Sequence, residues 1–94
     1  MALARVVSFE AVDANRIAEM ARTIEEGERP AELPATEMIL LHDPDGGTAL
    51  AIVFFENEDD YRQGDAVLSA MPADDTPGRR ASVSKYTVAV RATG

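Results

Sequence analysis

The chain contains no cysteine, no tryptophan and a single histidine. Without cysteine neither a disulfide nor a thiolate-bound metal can reinforce the fold, which excludes a disulfide-stapled secreted scaffold. A zinc site needs several His or Cys ligands, and one histidine does not supply them. Basic residues are scarce as well: nine Lys and Arg stand against 17 Asp and Glu, for a net charge of −8. That sign repels phosphate backbones and anionic lipid headgroups, so neither nucleic acid nor membrane is an expected partner. Long apolar runs are missing. Ala49 to Phe55 is the longest, far short of the roughly 20 residues that a spanning helix needs. The N-terminus carries no basic segment followed by an apolar stretch, and a soluble cytoplasmic protein is expected.

With 94 residues, the chain reads as one domain over 1–94, and at this size roughly 60 to 65% of the unfolded surface is buried on folding. Such a core is thin, so packing between subunits becomes a candidate source of stability.

What is present alternates in kind along the chain. Residues 4 to 12 are rich in Val and Phe and read as a strand, with Val7, Phe9 and Ala11 on its drier face. Asp13 stands at an N-cap position, and Ile17, Met20, Ala21 and Ile24 then recur at helical spacing up to Gly27. The prolines of "ERPAELPA" read as a loop. Two β-type runs, Thr36 to His42 and Thr48 to Phe55, flank Asp43-Pro44-Asp45-Gly46, which suits a type I turn with Gly46 left-handed. Pairing Asp43 with Gly47 sets Leu40 opposite Leu50 and Met38 opposite Ile52, and leaves Ile39, Leu41, Ala49, Ala51, Val53 and Phe55 on the other face. Either way both faces of the hairpin are apolar. Asn57 caps a second helix with Glu58, Asp59 and Asp60 in its first turn, and Tyr61, Gly64, Val67, Leu68 and Met71 form its stripe. Gly64 inside that helix suggests a close approach to the sheet, or simple tolerance. Pro72 and the polar "ADDTPGRR" lead into a last strand, "ASVSKYTVAVR".

Strand, helix, strand, strand, helix, strand is the ferredoxin-like βαββαβ order of an α+β fold: a four-stranded antiparallel sheet with both helices on one face. Two helices cover only one side of a hairpin that is apolar on both, and a second copy across a two-fold axis covers the other. A homodimer through the sheet face is the expected assembly. Val7, Phe9, Tyr86, Val88 and Val90 are assigned to the helix side, and Glu10, Lys85 and Thr87 to the partner side.

The chain length, the βαββαβ order and the two-faced apolar sheet resemble the dimeric α/β-barrel superfamily, which includes the antibiotic biosynthesis monooxygenase-like proteins. The resemblance implies dimers whose sheets close into a barrel, and a small aromatic or hydrophobic ligand held in a cleft between helices and sheet. Some members of that superfamily are cofactor-independent oxygenases and others degrade haem. The haem-degrading type relies on an Asn, a Trp and a helical His. This chain has no Trp and its His42 lies at a strand end, so that activity transfers to no position here.

Candidate sites are few. Counting Asp43 as the first ligand of an EF-hand loop puts Phe54 where a bidentate Glu belongs, so His42-Asp43-Pro44-Asp45 reads as a turn and no metal site is expected. None of Ser8, Ser69, Ser82 or Ser84 sits in a nucleophile turn that could meet His42. The carboxylate pairs Glu25-Glu26, Asp59-Asp60 and Asp74-Asp75 lie at helix ends or in loops, where solvation explains them. No catalytic residue and no cofactor are therefore assigned. For ligand binding the candidates are Tyr61, Tyr86, Arg79 and Arg80: guanidinium groups to hold a carboxylate or phosphate, hydroxyls to orient a ring. Against each stands a structural role, namely pairing of Arg79 and Arg80 with Asp74 and Asp75, and satisfied core positions for the tyrosines. Glu10 and Lys85 are candidates to pair with each other across strands or across the dimer. Three functions follow: a binder of a small hydrophobic molecule, a cofactor-independent monooxygenase-like enzyme, or a purely structural or regulatory dimerisation module. A helix–sheet cavity above roughly 300 Å³ lined by Tyr61 or Tyr86 favours the binder, and a packed layer favours the module.

Overall fold

Capping side chains start both helices where the sequence places them. Asp13 Oδ1 accepts from the backbone N–H of Asn15 at 2.7 Å and of Arg16 at 3.4 Å, and Asn57 Oδ1 accepts from that of Asp60 at 2.8 Å. Gly27, left-handed at φ +75, lies just past the first helix. The computed structural model describes residues 2–27, 32–71 and 76–93. Within them run β1 (Leu3–Glu10), α1 (Ala14–Glu25), β2 (Glu37–Asp43), β3 (Thr48–Phe55), α2 (Glu58–Ser69) and β4 (Arg79–Thr87). The sheet is antiparallel in the order β2-β3-β1-β4, with both helices against one face, the α+β ferredoxin-like arrangement. Pro30, Pro72, Asp74 and Asp75 lie outside the described residues.

The hairpin register differs by one residue from the expected one. Asp43 Oδ1 accepts from the N–H of Gly46 at 3.0 Å, and the left-handed residue is Gly47, at φ +65, rather than Gly46. This side-chain turn lengthens the loop, so Asp43 pairs with Thr48 and Leu40 with Ala51. A one-residue slip turns a whole strand over. Met38, Leu40 and His42 consequently share the helix side with Ala49, Ala51, Val53 and Phe55, while Ile39 and Leu41 join Leu50, Ile52 and Phe54 on the open side.

The last strand is also turned over relative to expectation. Tyr86 pairs with Ala4 on the open side and is 56% exposed, whereas Lys85 reaches α2 on the helix side, where its Nζ lies 4.9 Å over the Tyr61 ring. A register shift between Ser8 and Phe9 inserts Ala81 as an extra residue. The expectation followed the more apolar row of the strand, whereas Val83, Lys85 and Thr87 pair with the inward Val7, Arg5 and Leu3. The strand ends at Thr87, and Val88 and Val90 lie beyond it, Val90 exposed. Past that point the chain crosses one end of the open face. The Val88 N–H donates to Ala2 O at 2.9 Å, and the Arg91 guanidinium lies 4.5 Å from the centroid of Phe54 and pairs with Glu37 at 2.7 Å.

The core falls into two clusters. Leu3, Leu33, Val53, Phe55, Tyr61 and Leu68 pack under α2, and Val7, Phe9, Ile17 and Ala49 under α1. Phe55, fully buried, meets Tyr61 edge to face at 5.5 Å. Gly64 is buried over it, and a Cβ there would lie 2.2 Å from Phe55 Cε1 and 2.3 Å from Cζ. The close approach anticipated from Gly64 is therefore real. Gly64→Ala gains about 1 kcal/mol of helix propensity but forces an immobile ring aside at a cost of roughly 3 kcal/mol. A net loss of about 2 kcal/mol is expected in urea unfolding, with partial recovery in Gly64→Ala/Phe55→Leu.

Candidate functional site

Between the two core clusters the inward row of β1 runs Leu3, Arg5, Val7, Phe9, so an arginine occupies a core position. Arg5 is 2% exposed. A buried guanidinium demands compensation, and α2 supplies it: Arg5 Nε donates to Asp65 Oδ1 at 2.8 Å and Nη2 to Ser69 Oγ at 3.3 Å. Beside it a narrow crevice of about 40 Å³ separates helices from sheet, lined by Arg5, Arg80, Thr76, Met20, Met38 and Met71 among others. Arg80 reaches it from β4. Its Nη2 donates to the Leu68 carbonyl at 3.3 Å near the end of α2, and its Nε is buried with no hydrogen-bond partner among the described residues.

The four expected ligand residues divide between the two sides of the sheet. Arg80 and Tyr61 lie on the helix side, Tyr61 in the α2 cluster and outside the crevice lining. Tyr86 and Arg79 lie on the open side, where Arg79 forms an ion pair with Glu10. Tyr61 and Tyr86 thus share no cleft. Glu10 and Lys85 do not meet either, because Lys85 pairs with Glu58 at the start of α2. Arg5 is the residue that sequence reading passed over. Counting its face from Val7 rather than from Leu3 hid an arginine in register with buried positions.

A second, wider concavity of about 440 Å³ opens at the hairpin end of the sheet, lined by Ser8, Glu10, Leu41, His42, Leu50 and Ala81 among others. It is within the usual size range of a small-ligand site, yet neither tyrosine lines it. Ser8 and Ser82 hydroxyls bond each other there at 2.6 Å. Among the described residues no three His, Asp or Glu side chains gather as metal ligands, and no helix is long and apolar enough to cross a membrane.

Two solved structures superpose on nearly the whole chain. Rv0793 of Mycobacterium tuberculosis matches at a TM-score of 0.59 and 12% identity, covering 99% of this chain and 100% of its own. A protein of Chloroflexus aurantiacus assigned to the antibiotic biosynthesis monooxygenases matches at a TM-score of 0.59 and 11% identity, over 100% of this chain and 98% of its own. The chain shares the fold of these two structures. No protein-family model and no curated protein matches the sequence.

Within this fold the electrostatics of α2 centre on Tyr61. Burial, and after it the Asp65 carboxylate, raise its phenol above the ordinary tyrosine range, while Arg5 and Lys85 pull the other way. A raised acid contributes stability that is complete below the unfolded value of about 10 and is lost as pH climbs through the folded one. In a Tyr86→Phe chain, where Tyr61 is the remaining tyrosine, tyrosinate absorbance should appear only above pH ~10 and together with loss of structure. A midpoint at or below that value would contradict the burial. Glu58 shifts the other way, lowered chiefly by its hydrogen bond from Lys85, and its contribution disappears as pH falls through the carboxylate range.

Proposed function

We propose that the protein works in the cytoplasm as a homodimer, paired through the open sheet face, with the helix–sheet crevice of each subunit taking a small hydrophobic or aromatic molecule. One observation carries the assembly: Leu41 at 48% and Leu50 at 38% exposure stand beside Ile39, Ile52 and Phe54 on a face that neither helix reaches. An apolar patch of that kind on a small acidic chain calls for cover. In the dimer, Arg79 and Tyr86 belong to the paired face, and Arg80 and Tyr61 to the ligand side. Monooxygenase chemistry is the assignment of the Chloroflexus protein; here no residue is given a catalytic role. The reading as a pure dimerisation module has its own support, since at about 40 Å³ the crevice holds a ring only when the methionines that line it move aside.

Native mass spectrometry of gently purified protein tests these readings together. A dimer carrying added mass supports assembly and ligand. A clean dimer keeps the assembly and favours the module. A monomer overturns the reading of the open face.

A further inference from the structure

Resting on the reading that the crevice takes a ligand, we infer that this ligand is an organic carboxylate and that Arg80 is its anchor. Two guanidinium groups line the crevice, and only one of them has a carboxylate partner among the described residues. Arg5 is matched by Asp65. Arg80 meets a neutral carbonyl at Nη2 and leaves a buried Nε–H unused. A buried donor on a charged group, left without an acceptor, is costly, and natural structures rarely keep one without a use. The complementary group is a small planar anion that accepts from a guanidinium edge.

Shape selects among anions. In a crevice of only about 40 Å³ a planar carboxylate displaces the walls less than a tetrahedral phosphate does. The other walls suit an apolar body behind that head. Met20, Met38 and Met71 are half-buried, unbranched and able to repack around a ring. In a chain of net charge −8 long-range attraction does not draw anions in, so recognition depends on this local charge.

The test uses benzoate, with benzamide as its neutral isostere, titrated into the full chain carrying isotope-labelled methionine methyl groups. Benzoate should move the Met20, Met38 and Met71 signals and bind at least about tenfold tighter than benzamide, the step expected for a charge-assisted hydrogen bond. Arg80→Gln should remove that preference while retaining the parent's melting profile, and Arg80→Lys, which keeps charge without the planar edge, should restore only part of it. Equal binding of both compounds, unchanged in Arg80→Gln, would overturn the carboxylate assignment and leave the crevice as a ligand site. Benzoate binding that shifts none of these methyls would place the anion elsewhere and overturn it too. If neither compound binds, the ligand reading itself fails and this inference with it.

Discussion

An Asp65→Ala variant is expected to unfold about 3 kcal/mol more easily than the parent chain, although the side chain removed is 44% exposed. The cost falls on Arg5, which stays 2% exposed in the middle of the inward row with its charge uncompensated. Breaking a buried pair from one side typically costs 3 to 5 kcal/mol, and water entering beside the vacated carboxylate keeps this case near the low end. For a domain whose whole stability is of order 5 to 15 kcal/mol, that is a large share. The mirror experiment sharpens the claim. Arg5→Met removes the charge and fills the same row with an apolar stem, so it should be close to neutral. Chemical denaturation of the two variants side by side measures the difference. Equal losses in both would show that packing of the arginine stem, and not charge, is what the site depends on.

Ile52→Asp carries the second large effect. Ile52 pairs with Val6 on β1 and Ile39 on β2, at the centre of the apolar open face. In the proposed dimer a carboxylate there loses its water and faces apolar neighbours, for roughly 4 kcal/mol or more, equivalent to about a thousandfold weaker association. The same carboxylate in a monomer stays solvated, so the fold itself should persist. Sedimentation at graded concentrations, with circular dichroism as a check on folding, separates these effects. A variant that keeps the parent's mass at micromolar concentration would remove the open face from the interface.

Much of the architecture was legible because its signals are local. Asp13 and Asn57 cap what they were expected to cap, the stripe from Tyr61 to Leu68 is the buried side of α2, and Gly64 marks a close approach. Facing errors had two sources. The Asp43 carboxylate adds one residue to the hairpin loop and so turned β2 over relative to β3, while in β4 the more apolar row, with Tyr86, faces away from the helices. The longer loop leaves no mark on composition or periodicity, and in β4 apolarity pointed to the wrong face, so pattern alone reveals neither. The candidate site was half legible. Arg80 stood out as half of a basic pair, but Arg5 and Asp65 are 60 residues apart and only the sheet and α2 bring them together.

Arg91 lying over Phe54 and bridging to Glu37 also bears on how the solution medium acts on the molecule. Both members of that ion pair are nearly half exposed, at 45% and 44%, so dissolved ions weaken it and loosen the tail from the one end of the sheet that it shields. The same ions screen the mutual repulsion of two chains that each carry −8. Added salt therefore uncovers apolar surface and lowers the electrostatic barrier to covering it, so self-association should strengthen with ionic strength. Dilution into low salt is then the condition in which separate subunits are easiest to catch.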